Sequence, residues 1–432
     1  MQVPAMHQLE SLILKKIDEN GLTMAKMKPF VTPMRLGAIL KNISNEVKES
    51  TKEIRGPRLG APENAIDGFL KKNNIDKNDL IEKKTEKGDF YFYSLKIKMQ
   101  SLSDILSLVF TDIIREFNWP KSMYWGDNYS LKWVRPIRVI VAVLFDNENR
   151  ERVPLKVRDI ESGIVTRAHQ VMHPEFFEFD SIDEYQEKIL KGKVILHPQD
   201  RKRRILQEGQ RQAEEKGFSL VKDDKLLEEI VGLTEFPTPI LGEIPEELLS
   251  LPEEVIITSM KVHQKFLSLR RIENGKVEGF LVVADLQTDD QQKTILLGNM
   301  RVLNSRLKDA MFFYNNDLEL VKNFGMKAWN SKLKSVRFHE KLGSQYDRVE
   351  RIVKIAVSLA KQFQLEEDQI SEAARLIKAD LVSDLVKEFP SLQGKMGAHY
   401  AETEGCSELV SCAIRDHYLP VSSNDKVPEE QL

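Results

Sequence analysis

Two hydrophobic periods alternate through the first three quarters of this 432-residue sequence, and only one survives in the last quarter. Leu9, Leu12, Ile13 and Ile17 recur at helical spacing, and a stretch punctuated by Pro and Gly extends from Phe30 to Gly68. Asp89 to Met99 alternates aromatic and aliphatic residues as a strand does, and Leu102 to Phe117 returns to a three-to-four repeat. An apolar strand is expected over Val139 to Leu144. From Arg152 to Tyr314 the apolar runs are short and broken, predicting strands at Val194 to Leu196, Pro239 to Leu241, Val255 to Thr258 and Phe280 to Ala284. Among them, Pro198 to Glu215 reads as a very polar helix. Beyond about Lys322 strand signals fade, and Glu350 to Ala360, Glu367 to Lys378 and Ala379 to Glu388 read as helices. The fold class is therefore α+β: mixed modules over residues 1–151 and 152–321, then an all-α region over 322–432.

Composition narrows the function. Hydrophobic residues at 41% and charged residues at 30% suit folded domains throughout. Lys and Arg number 64 against 67 Asp and Glu, a net charge of -3, so any polyanion must be held by a local basic patch. Two cysteines build no disulfide framework, which with no recognisable leader points to a cytoplasmic protein. The run Val139 to Phe145 is far shorter than the roughly 20 residues of a membrane span, so no membrane partner is expected. Neither Gly-x-x-x-x-Gly-Lys-Ser/Thr nor Gly-x-Gly-x-x-Gly occurs, so ATP used with this chain is expected on another one.

Metal and polyanion sites are the remaining candidates. Cys406, Cys412, His399 and His417 match no zinc spacing. His339 and Asp380 resemble two ligands of an HD-type phosphohydrolase, but Lys378-Ala379-Asp380 stands where that fold has adjacent His-Asp, and an ammonium is a poor ligand. An HD-like helical fold without metal is expected. Lys132, Trp133, Arg135 and Arg138 offer either a stacking face with phosphate contacts or a core tryptophan flanked by solvated arginines. Arg201, Lys202, Arg203 and Arg204 cover all faces of a helical turn, so one or two must point outward. Arg301, Arg306 and Lys308 form a third patch, with Asp309 available as an internal ion-pair partner.

Several blocks are specific enough to carry a family resemblance: Thr32-Pro33-Met34-Arg35-Leu36, the run from Gly56 to Ala65, Lys132 to Arg138, Val165 to His169, and Glu228 to Leu233. They continue through Leu251 to Val255, Met260 to Phe266, Arg301 to Ala310, Phe338 to Ser344, Lys378 to Val382, Glu388 to Gly394 and His417 to Pro420. In content and order they resemble the beta subunit of bacterial glycyl-tRNA synthetase of the two-subunit type.

That resemblance implies a ligase in which the alpha subunit activates glycine with ATP and Mg, while the beta subunit binds tRNA(Gly) and presents it, with no catalytic residue or cofactor of its own. A tetramer of two alpha and two beta subunits is implied. So is a plan of α+β modules, an HD-like helical domain and C-terminal anticodon modules. Against that plan the opening strand and the anticodon region are expected to be absent, and the helical domain to be incomplete. Motif position and charge nominate Arg135, Arg138, Arg167, Lys261, His263, Lys265 and Arg301 as backbone contacts to the acceptor arm. Two other readings stand beside this one, an HD-type metal-dependent phosphohydrolase and a structural scaffold that docks the alpha subunit. Ala168, Gln170, Phe266 and Met300 depart from the family's usual Gly, Arg, Tyr and Glu.

Overall fold

The computed structural model describes residues 1–44, 51–73, 75–85, 88–96, 101–125, 131–146, 149–423 and 427–428. It divides into two compact units, Met1–Asp200 and Arg201–Leu432. The α+β class and the helical C-terminal region are as expected from the sequence.

In the first unit the helices Gln2–Glu19 and Leu102–Glu116 bury Ile13 and Ile17 against Ile105, Val109 and Ile113, the apolar stripes that a 3.6-residue period lines up. Ser101 starts the second helix by accepting a hydrogen bond from the Asp104 amide at 3.1 Å. An antiparallel hairpin, Thr23–Val31 with Leu36–Ser44, closes through the block Thr32 to Arg35. Its tightness comes from Thr32, whose amide donates to the Arg35 carbonyl and whose Oγ1 accepts from the Met34 and Arg35 amides. A separate three-stranded sheet has Gly88–Lys96 between Thr51–Arg58 and Leu80–Thr85, so the alternating segment is its central strand; residues 97–99 of that expectation lie outside the described residues. The apolar run expected as one strand is two short ones, Ile140–Val141 and Val143–Asp146, which pair with different partners on either side of Ala142.

The second unit opens on a four-stranded antiparallel sheet, in the order Phe218–Leu220, Leu267–Arg271, Val277–Ala284, Thr238–Glu243. The 32-residue helix Lys293–Phe324 comes next, then the 19-residue helix Gln345–Phe363 and shorter ones up to Glu408–Asp416. One core joins the sheet and these helices through Phe280, Leu303, Leu307, Trp329 and Tyr400.

Three expectations are corrected. Val255 to Thr258 is helical, within Glu253–Ser259: its β-branched residues suggest a strand, but Pro252 with Glu253 and Glu254 after it is a helix start, and Val255 and Ile256 bury on one side. Val194 to Leu196 lies outside any strand, with Val194 and Leu196 buried and the Val194 amide donating to the Ile189 carbonyl at 3.0 Å. Ala379 to Glu388 is not one helix: Ser383 is extended, with ψ 150, and its hydroxyl caps the next helix at the Val386 amide.

Candidate nucleic-acid interface

The seven nominated residues fall in both units, three in the first and four in the second. In the first, the strand Leu131–Trp133 turns Trp133 inward, with its ring 5.2 Å from Phe117 and 5.1 Å from Trp119. Of the two readings of this block, the core one holds for the tryptophan. The same turn leaves Arg135 and Arg138 exposed, and among the described residues neither has a carboxylate within 4.0 Å. Their guanidinium groups are open, as a phosphate contact requires.

Arg167 is half-buried, its guanidinium 5.7 Å from the centre of the Phe176 ring. Its carbonyl and that of Ala168 accept from Arg35 Nη2 at 2.7 and 2.6 Å, so two of the family-like blocks meet through one arginine. His169 is buried, and its Nδ1 accepts from the Val171 and Met172 amides. Gln170 is exposed beside it.

In the second unit, Lys261 and His263 lie on the π-helical turn Met260–Gln264, and Lys265 ends it at φ 57, a left-handed conformation rare for a residue with a Cβ. Buried Met260 and Phe266 pin the two ends, Phe266 stacking on Phe280 at 5.0 Å. The turn points its polar residues outward, but two are already engaged. Lys261 pairs with Asp223, and Lys265 Nζ is 3.0 Å from Glu229, so both ammonium groups meet carboxylates at the ends of the helix Asp224–Val231. Burial opposes the charge of Asp223, yet Lys261 and the Leu226 amide bring its carboxyl below the ordinary range. The His263 ring packs edge-on to Phe389 at 5.5 Å. Arg301 is exposed on the long helix and has no carboxylate within 4.0 Å among the described residues. Its neighbour Lys308 pairs with Glu247 at 3.2 Å and not with Asp309.

The cluster Arg201 to Arg204 is largely structural. Arg201 is fully buried and donates from Nε to the Val231 carbonyl; Arg204 donates to the Pro237 carbonyl at 2.9 Å and lies over Phe236; Lys202 is 3.8 Å from Asp224. Only Arg203 is exposed. The periodicity of the run shows that some residue must turn inward, but not that a guanidinium fills a buried slot.

The HD-like pair is not assembled as ligands. His339 is exposed on the small hairpin Arg337–His339 with Gly343–Ser344, whereas Asp380 is fully buried and its Oδ2 accepts from the Gly394 and Gly397 amides at 2.6 and 3.1 Å. Lys378 Nζ lies 2.7 Å from His417 Nε2 and 3.6 Å from the centre of the Tyr418 ring. Burial and then Arg348 hold Lys378 down at about 8, and burial and then Lys378 hold His417 down at about 4, so at neutral pH an ammonium donates to a neutral imidazole. Among the described residues no cluster of three His, Cys, Asp or Glu side chains is placed to hold a metal ion. Lys378 and His417 each stand out in the sequence, but their 39-residue separation hides the pairing.

The whole chain, residues 1–432, matches the family model described as glycyl-tRNA synthetase beta subunit. The glycine–tRNA ligase beta subunit of Dinoroseobacter shibae is 40% identical over 432 residues, covering 100% of this chain and 60% of that protein. The namesake from Paracoccus denitrificans is 40% identical over 428 residues, 99% of this chain and 62% of that one, and the one from Rickettsia typhi 38% identical over 416 residues, 96% and 60%. The chain thus spans about 60% of the length of these relatives. With the folded blocks and the full-length match in agreement, the chain belongs to the glycyl-tRNA synthetase beta subunit family.

Proposed function

We propose that this chain is the tRNA-binding part of a glycine–tRNA ligase, holding tRNA(Gly) for a separate alpha subunit that carries ATP, Mg and the glycine-activating chemistry. The assembly is cytoplasmic and contains two subunits of each kind. The observation that carries the reading is the open guanidinium pair of Arg135 and Arg138, set just after a strand whose Trp133 packs against the core. Arg301 supplies a third uncompensated charge in the second unit. Arg167 and His263 contribute at their edges, while Lys261 and Lys265 reach RNA only by exchanging the carboxylates of Asp223 and Glu229. Those two ion pairs favour the scaffold reading for their own corner of the molecule.

The test is a gel shift of tRNA(Gly) across a salt series, beside glycylation with the purified alpha subunit added. Each phosphate contact contributes about 0.9 to the slope of log affinity against log salt. The double variant R135A/R138A is expected to lower that slope by about two, and R301A by about one, with unfolding curves unchanged. Unaltered slopes in both would remove these residues from the interface. Stable association with the alpha subunit without tRNA binding would leave docking as the role of this chain.

A further inference from the structure

Two helices of the second unit, Gln345–Phe363 and Glu367–Leu376, line a shallow, open groove. Lys354, Ser358 and Lys361 come from the first at successive turns of one face; Ser371 and Arg375 come from the second, four residues apart. Val353 and Val357 complete the lining, which contains no acidic side chain. At one end Lys361 Nζ is 3.5 Å from Glu367, an exposed pair that solvent weakens, and Glu372 next to Ser371 is 3.9 Å from Lys327. Among the described residues Lys354 and Arg375 have no carboxylate within 4.0 Å, and the hydroxyls of Ser358 and Ser371 have no hydrogen-bond partner. Two uncompensated cations, a third weakly held one and two free hydroxyls therefore converge on one groove.

Those donors suit the oxygens of a phosphate: an arginine fork and lysine ammonium groups supply charge-assisted bonds, and serine hydroxyls complete the shell. The groove is shallow and open, and half-buried Val357 gives it a small apolar surface beside the cations. None of these residues lies in the blocks that carry the family resemblance or among the seven nominated contacts. We propose that the groove between Gln345–Phe363 and Glu367–Leu376 is a binding site for a phosphate-ester ligand, either a free nucleotide or the backbone of an RNA.

The experiment is titration calorimetry on the whole chain with two probes, ADP in the presence of a chelator and a twelve-nucleotide single-stranded RNA. It is run on the unaltered protein and on K354A/R375A, S358A/S371A and R135A/R138A, with circular dichroism melts to verify folding. At least one probe is expected to bind, tenfold or more weaker in K354A/R375A and about threefold weaker in S358A/S371A, where the charge is unchanged. Binding of ADP identifies a free nucleotide as the ligand, and binding of RNA alone identifies the backbone. No binding of either probe, or affinities in both groove variants equal to the unaltered protein, overturns the site. Because R135A/R138A leaves the groove intact, its effect on tRNA(Gly) reports on the functional proposal independently.

Discussion

Asp380 has no solvent exposure, and only one of its oxygens is hydrogen-bonded, to two glycine amides; Oδ1 has no partner. Burial raises its carboxyl from the ordinary value near 4 to about 6, against the pull of those amides and Lys378. A folded pKa above the unfolded one means that the folded state binds the proton more tightly. The stability Asp380 contributes is thus full below about pH 4 and lost as pH rises to about 6, a difference of roughly 3 kcal/mol for two units. D380N keeps an acceptor for the amides without the charge, so its unfolding free energy is expected to lack this component when urea melts at pH 4 and pH 7 are compared. A dependence equal to that of the unaltered protein would place the proton elsewhere. Gly192 is a second residue-scale constraint: a Cβ there would lie 2.1 Å from the Ala168 Cβ. G192A is expected to destabilise by about 1–3 kcal/mol through overpacking, and A168G in the same chain to restore part of that loss, a coupling read directly from a double-mutant cycle. Ala168 stands where the resemblance places a glycine, so the contact is one this chain makes with its own alanine.

At the scale of elements, Asp317 ties the long helix Lys293–Phe324 to the short helix Asp384–Glu388 and to Tyr400. Its two oxygens accept from the Asp384 and Leu385 amides at 2.9 Å each, at the start of the short helix, and from the Tyr400 hydroxyl at 3.0 Å. D317A strands three donors, two of them buried, and is expected to cost about 3 kcal/mol, with faster hydrogen exchange at the Asp384 and Leu385 amides. Exchange rates unchanged there would mean that the short helix is held by packing alone. Ties of this kind, spanning tens of residues, separate what is legible in the sequence from what is not. Pro198–Glu215 and Leu102–Glu116 are readable because one face repeats every three or four residues, and the strand Gly88–Lys96 because its faces alternate. Glu253–Ser259 misleads because β-branched composition and helix-start chemistry disagree within seven residues, and burial decides between them. For the candidate interface, residue type and block position nominate Arg135, Arg138 and Arg301, which the fold leaves open. They equally nominate Lys261 and Lys265, whose partners Asp223 and Glu229 are distant in the chain and leave no periodic signal.

For the molecule as a whole, the two units carry separate cores. Ile13, Val109 and Ile113 with their neighbours serve the first, and Phe280, Leu303, Trp329 and Tyr400 the second. Multi-domain chains depart from a single two-state transition, so calorimetric unfolding is expected to resolve two transitions. The residue and element variants assign them. G192A alters packing only between Ala168 and its neighbours in the first unit, and D317A removes bonds only within the second. Each is therefore expected to lower one melting temperature by several degrees and leave the other within a degree. If both variants lower a single common transition, the cores unfold as one cooperative body. A charge change such as R135A/R138A would then have to be checked for effects on the second unit before its influence on RNA binding could be assigned to direct contact.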